Sequence, residues 1–86
     1  MVRTRNVAAG DKVWERERSR NGRLIAQQSW TVVGFDGDDL VLECNGDYGS
    51  EIVGYTTFAP GKRGERWIVS LDDLGIDMED GKLVIT

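Results

Sequence analysis

A chain of 86 residues accommodates one domain but not two, and its core is correspondingly modest. Its 40% hydrophobic and 30% charged residues are typical of a folded globular protein, and 11 glycines against a single proline favour tight turns over a disordered chain. No apolar run reaches the roughly eighteen residues that a membrane-spanning helix needs, so we predict no membrane partner.

The net charge of −4 conceals an uneven distribution along the chain. Residues 1–23 contain seven basic and three acidic side chains, a net charge of +4, whereas residues 24–86 contain four basic and twelve acidic ones, a net charge of −8. Such a division can place fields of opposite sign on different faces of a small domain and steer charged partners toward it.

Residues 1–9 offer few anchoring side chains, and we expect them to form a flexible N-terminal arm ahead of a single domain over residues 10–86. Residues 1–6 lack the apolar stretch of a secretory signal. Cys44 is the only cysteine, which rules out an internal disulfide and is compatible with a reducing compartment. These features predict a cytoplasmic protein.

The charged segment 12–18 is predicted to be the first strand. A helix is the competing interpretation, because Glu and Arg are good helix formers, but no apolar stripe at helical spacing supports it. As a strand the segment places two sets of side chains on opposite faces: Trp14, Arg16 and Arg18 on one, and Val13, Glu15 and Glu17 on the other.

Turn signals divide the next part of the chain into hairpins. Asn21-Gly22 predicts a hairpin turn, and the β-branched and aromatic residues of segment 24–35 predict a strand. A turn at 36–39 and a strand at 40–44 complete the second hairpin. The face of this last strand that we assign to the core consists of Leu40, Leu42 and Cys44.

The C-terminal half continues the same pattern. We predict strands at 51–58 and 65–70, joined by a glycine-rich loop with a basic tip. Ser70 is placed to cap one short helical turn over residues 70–74. The Asp80-Gly81 pair then predicts a final hairpin. Together, these elements predict an all-β barrel of five to seven short antiparallel strands, since closure removes exposed sheet edges.

Part of the chain resembles the opening of bacterial SH3-like barrels. The similarity rests on a Gly-Asp-x-Val turn into a strand at 10–13, the strand Trp30-Thr31-Val32-Val33-Gly34 and the strand 40–44, and it covers about residues 10–45. The resemblance implies a fold of about five strands with one short helical turn near residues 70–74. It implies no functional residue, because such folds host many unrelated functions.

The residue types argue against an enzyme. The chain has no histidine, which removes the commonest general base and the Ser-His and Cys-His pairings. Cys44 is expected to be a buried, unreactive core residue. The acidic segments 36–39 and 77–81 lack EF-hand spacing and are typical of turns. We therefore expect no catalytic residues, no metal and no cofactor.

Basic residues together with one tryptophan are the candidate partner-binding set, because Trp and Arg are enriched at binding hot spots. The competing interpretation is a solvated, charged hairpin in which glutamates flank the arginines. The candidate partner-binding residues are Trp14, Arg16, Arg18, Arg20, Arg23, Lys62, Arg63 and Arg66.

Two further hypotheses concern acidic and aromatic residues. Acidic side chains at the predicted turns would suit a basic groove on a partner. Trp30 and Trp67 are assigned to the core and Trp14 to a partly exposed position, and an aromatic cage for a cationic ligand is a further alternative. The acidic set comprises Asp36, Asp38, Asp39, Asp72, Asp73, Asp77, Glu79 and Asp80, and the cage candidates are Trp14, Tyr48, Tyr55 and Phe58.

These observations predict a non-enzymatic protein-interaction module, in keeping with a small accessory or inhibitor protein from a bacterium or phage. The alternative is a nucleic-acid-binding protein that uses the arginine-rich strand and loop, although the overall acidity counts against it. Homo-oligomerisation through an exposed strand edge is a third possibility.

Overall fold

A computed structural model describes residues 7–51, 56–70 and 72–86. Seven strands make up a single sheet, so the predicted all-β class is confirmed. The described ranges contain no helix, and hence none with the length and apolarity needed to cross a bilayer. The strands are β1 (Lys12–Arg18), β2 (Leu24–Asp36), β3 (Asp39–Cys44), β4 (Gly49–Ser50), β5 (Arg66–Ser70), β6 (Ile76–Glu79) and β7 (Lys82–Ile85).

The strand order across the sheet is β5-β3-β2-β1-β7-β6, and the short β4 pairs with the start of β2. Every pairing is antiparallel except that of β1 with β7, which is parallel. β1 therefore joins the N-terminal hairpins to the C-terminal one, and every later element depends on its register.

The sheet is open rather than closed into the predicted barrel. β5 and β6 lie at its two ends, and the described residues record no pairing between them. The segment that connects β5 to β6 contributes to the core, because its residue Leu74 is only 7% exposed and belongs to the core cluster. Apolar burial at this point is achieved by a connecting segment, so it does not require the two strands to pair.

Three predicted turns are confirmed, each where a short loop reverses the chain. Gly22 lies within the β1–β2 loop and has a φ of 88°, a conformation that side chains disfavour. A two-residue loop separates β2 from β3. Asp80 and Gly81 both have positive φ, 53° and 76°, which matches the type I′ turn favoured in two-residue hairpins.

The core lies on one face of the sheet, which we call the inner face. Val13, Trp30 and Cys44 stand side by side on β1, β2 and β3, and all three are at most 5% exposed. The predicted core face of β3 is confirmed, since Leu40 and Leu42 are completely buried. Trp67, assigned to the core by its sequence, is partly buried and packs against this cluster.

The start of the domain also contributes to the core. Val7 is 3% exposed and belongs to the core cluster. Nearby, Asp11 accepts a hydrogen bond from the Ala8 backbone N–H through Oδ2, and the Gly10 N–H donates to the Val32 carbonyl. Residues 1–6 of the predicted arm lie outside the described residues.

The predicted strand at 51–58 is wrong at the described positions, since 51 and 56–58 are not strand and 52–55 fall outside the described residues. The Glu51 N–H donates to the Ile25 carbonyl of β2 at 2.9 Å, whereas side chains take part in the hydrogen bonds at 56–58. The Thr57 N–H donates to Glu17 Oε1, and Thr56 Oγ1 donates to the Phe58 carbonyl. Such local bonds offer the chain an alternative to sheet pairing.

The predicted helical turn at 70–74 is also wrong for the described residues there, which form a hydrogen-bonded turn. Ser70 ends β5, and its carbonyl accepts one bond from the Asp73 N–H at 3.0 Å. Its hydroxyl accepts from the Asp72 N–H at 3.2 Å, the interaction expected of a capping serine. β6 begins at Ile76, which leaves too little chain for a helix to propagate.

Replacing Trp30 with alanine is expected to lower the free energy of unfolding by about 3–5 kcal/mol, because the ring is buried against the core. Chemical denaturation followed by circular dichroism measures this change. Ile68→Ala is the control: Ile68 is 57% exposed, and its loss is expected to change the stability by less than about 0.5 kcal/mol. Similar effects for both variants would contradict the assignment of Trp30 to the core.

Candidate functional site

The candidate site begins with Trp14 on the outer face, the side of the sheet opposite the core. Trp14 is half-buried, as predicted, and lies beside Ser29 on β2 and Val84 on β7. Three cationic groups lie over its ring: Lys12 Nζ, Arg16 Cζ and Lys82 Nζ are 5.3, 5.6 and 5.1 Å from the ring centroid. We call these four residues the Trp14 cluster.

Two lysines of this cluster were absent from the set predicted from the sequence. Lys12 precedes Trp14 by two residues on the same strand, so side-chain alternation was a signal that could have found it. Lys82 lies 68 residues after Trp14 in the chain and comes close to it only through the parallel pairing of β1 with β7. No local pattern predicts such a pairing.

Arg16 is held in place by partners on both sides. Its Nε donates to Gln27 Oε1 at 3.2 Å, its Nη1 donates to Glu79 Oε1 at 3.0 Å, and its side chain is only 8% exposed. Arg18 Nη2 donates to the same Glu79 oxygen. The two guanidinium groups therefore share one carboxylate, and Arg16 supports the Trp14 ring from within the sheet.

The two neighbouring arginines change the pKa of Glu79. The hydrogen bond from Arg18, together with that from Arg16, lowers the pKa of the Glu79 carboxyl below its usual range. Burial acts in the opposite direction but does not outweigh these bonds. Glu79 thus stays ionised at neutral pH and links β6 to β1.

The other predicted basic residues fall into separate groups. Arg23 pairs with Glu51, and Arg66 Nε lies 3.9 Å from Glu43 Oε1. No ion pair to a described residue is found for the remaining three. Those three are Arg20 at the β1–β2 loop and Lys62 and Arg63 in the loop before β5.

The register decides which of these groups share a face with Trp14. Lys12, Thr31, Glu43 and Arg66 stand opposite one another across β1, β2, β3 and β5. Arg66 is thereby on the outer face, although three strands away from β1. The eight predicted residues therefore do not form one strip, and four of the arginines are paired with three carboxylates of the same chain.

The acidic turn residues are divided as well. Asp39 pairs with Ser70, which brings the β2–β3 turn to the same end of the sheet as Asp72 and Asp73. Glu79 of the β6–β7 hairpin is directed at the arginines of β1 instead. This carboxylate is therefore not available to an acidic patch formed by the other turn residues.

A polar network occupies the outer face beside Trp14. Asp47 accepts hydrogen bonds from the Ser29 backbone N–H at 2.7 Å and from the Ser29 hydroxyl, and Asn45 donates to that hydroxyl oxygen at 2.9 Å. Burial alone would raise the pKa of Asp47, but the bonds from Ser29 prevail and lower it. The network fixes the loop after β3 against β2.

On the inner face, hydrogen bonds from the Gln28 side chain hold the 59–61 segment in place. This side chain accepts from the Gly61 N–H at 2.8 Å and donates to the Ala59 carbonyl at 3.2 Å and to Glu15 Oε1 at 2.6 Å. Near this segment, the rings of Tyr48 and Phe58 meet edge to face at 5.9 Å. Tyr55, the remaining aromatic-cage candidate, lies outside the described residues.

Cys44 is a free thiol that is 1% exposed, which confirms its predicted burial. Within the described ranges, no three His, Cys, Asp or Glu side chains are grouped so that they could hold a metal ion.

Comparison with known proteins adds no relative, since no protein-family model, curated protein or solved structure matches the chain.

Stability is expected to fall as the pH is lowered through the acidic range. Glu79 and Asp47 have pKa values below their usual range in the folded state. Their contribution to the free energy of unfolding is therefore complete above the ordinary carboxyl pKa of about 4. It is lost as the pH falls below that value, because the unfolded chain then binds protons more readily. Urea denaturation between pH 7 and pH 3 measures the effect.

Glu79→Gln is expected to reduce this pH dependence, because it removes the carboxylate that both arginines share. Asp77→Asn is the matched control, on the same strand but with no arginine partner among the described residues. An equal reduction by the two variants would show that general charge repulsion governs the acid response.

Proposed function

We propose that the protein is a non-enzymatic protein-interaction module, acting in the cytoplasm as a small accessory or inhibitor protein, and that the Trp14 cluster is its contact surface. The observation that supports this proposal is the fixed position of a half-exposed tryptophan among three cations. Tryptophans held in this way are typical of binding hot spots, because little side-chain entropy remains to be lost on binding.

The chemistry of the cluster favours an acidic segment of the partner. Lys12 and Lys82 make no ion pair with a described residue, whereas the guanidinium groups of Arg16 and Arg18 are both bonded to Glu79. A partner carboxylate beside Trp14 would therefore meet two available ammonium groups. Arg16 acts in this proposal as a positioning residue, since its side chain is buried.

Single-stranded nucleic acid is the second candidate. An aromatic ring flanked by lysines can stack on a base while the ammonium groups contact phosphates, as in many single-strand binders. The internal pairing of four predicted arginines and the net charge of −4 reduce the positive field that such binding requires. The protein partner is therefore the better-supported proposal.

The similarity to bacterial SH3-like barrels belongs to this proposal too. The turn at Gly10, the strand that follows it and the β2–β3 hairpin support the likeness. The open edge between β5 and β6 is its main departure.

Trp14→Ala is expected to weaken partner binding by at least about 2 kcal/mol, roughly 30-fold, because it removes the central anchor. The partner is captured from nuclease-treated lysate of the source cell on immobilised protein, and its affinity is then measured by calorimetry. A combined Lys12→Gln and Lys82→Gln variant is expected to weaken binding as well.

Arg20→Gln is the control, because Arg20 is exposed and lies outside the Trp14 cluster. An equal loss per removed charge for this variant and for the double lysine variant would show that binding depends only on total positive charge. A 20-nucleotide single strand tests the alternative at about 50 and 200 mM salt: tight binding that weakens steeply with salt and is lost in Trp14→Ala would favour nucleic acid.

A further inference from the structure

We propose that a cleft on the inner side of β1 binds a lysine or arginine side chain of the partner protein, which deepens the proposed function by adding a second, chemically distinct contact. We call this feature the Glu15 cleft. Its lining includes Glu15, Gln28, Trp30, Phe58, Pro60 and Trp67. Glu15 and Trp14 are consecutive on β1, so the cleft and the Trp14 cluster open on opposite faces of one strand.

Aromatic rings form most of the cleft wall. The ring centroids of Trp30 and Trp67 are 5.4 Å apart with planes inclined at 58°, and Phe58 and Pro60 contribute further apolar surface. The cleft has a volume of about 310 Å³, at the lower end of the range of about 300–1,000 Å³ for ligand pockets. It suits one side chain better than a large ligand.

A carboxylate completes the cleft. Glu15 Oε1 accepts hydrogen bonds from Gln28 Nε2 at 2.6 Å and from Trp30 Nε1 at 3.2 Å. No described lysine or arginine lies within 4 Å of the Glu15 carboxylate. Arg66 also borders the cleft, but its guanidinium is directed to Glu43 on the outer face.

This combination is complementary to a cation. The faces of tryptophan rings attract ammonium and guanidinium groups, and a half-buried carboxylate without a cationic partner forms a strong charge-assisted hydrogen bond when one arrives. Glu65 lies at the border of the same cleft and adds a second negative charge. An acidic side chain would gain neither interaction, and a neutral side chain would lack the cation–π contact and the attraction of opposite charges.

The cleft is organised before any ligand arrives. Gln28 is 1% exposed, and its bonds to the 59–61 segment hold one wall in place. Gly61 packs so closely that a Cβ there would lie 2.7 Å from Cys44 Sγ. Binding would therefore require little ordering of the loop, which favours affinity.

The test is a titration of the full chain with three capped tripeptides that differ only in their central residue, which is arginine, lysine or glutamine. Binding is monitored through the NMR resonances of the Trp30 and Trp67 indole N–H groups. We expect the basic peptides to shift these resonances saturably and the glutamine peptide to leave them unchanged. Glu15→Gln is expected to weaken binding at least tenfold while it retains an oxygen that accepts from Gln28 and Trp30.

Glu17→Gln is the matched control, on the same strand and face but outside the cleft. Shifts of equal size with the glutamine peptide, or equal weakening by Glu15→Gln and Glu17→Gln, would overturn the proposal. Concentration-dependent shifts without peptide would overturn it in favour of a second copy of the chain as occupant. The peptide titration and its Glu15→Gln variant do not use the partner captured through the Trp14 cluster, so failure here is distinguishable from failure of that cluster.

Discussion

The pairing of β1 with two different strands is the constraint on which the rest of the structure depends. β1 lies antiparallel to β2 and parallel to β7, and it is the link between the N-terminal hairpins and the C-terminal hairpin. Side chains alternate along it, so Val13 and Glu15 face inward while Trp14 and Arg16 face outward. A register change of one residue would exchange these sets and remove both candidate surfaces.

Electrostatic pairing within the chain separates the arginines from the lysines. One carboxylate, Glu79, accepts hydrogen bonds from two guanidinium groups on β1, and these bonds lower its pKa. Lys12 and Lys82 make no ion pair within 4 Å among the described residues, although the charge of Lys12 helps to lower the pKa of Asp47. Around Trp14, the ammonium groups are therefore more accessible to a ligand than the two arginines of β1.

The two proposed surfaces present opposite charges. The Trp14 cluster presents ammonium groups around an aromatic ring, whereas the Glu15 cleft presents a carboxylate between aromatic rings. A partner that reaches both faces of β1 would need acidic and basic side chains in a defined arrangement. Such paired complementarity provides specificity, because a partner with only one of the charges loses half of the contacts.

By itself the sequence determined the features that depend on near neighbours. Residues two apart on a strand share a face, which was sufficient to assign Leu40, Leu42 and Cys44 to the core, and Asp80-Gly81 specified its own turn because its backbone conformation is local. The tertiary structure alone decided the rest: the parallel contact of β1 with β7, the sharing of Glu79 by Arg16 and Arg18, and the burial of Leu74 in the core. Each of these brings together residues far apart in the chain, and their contact depends on how the whole sheet packs rather than on any local preference.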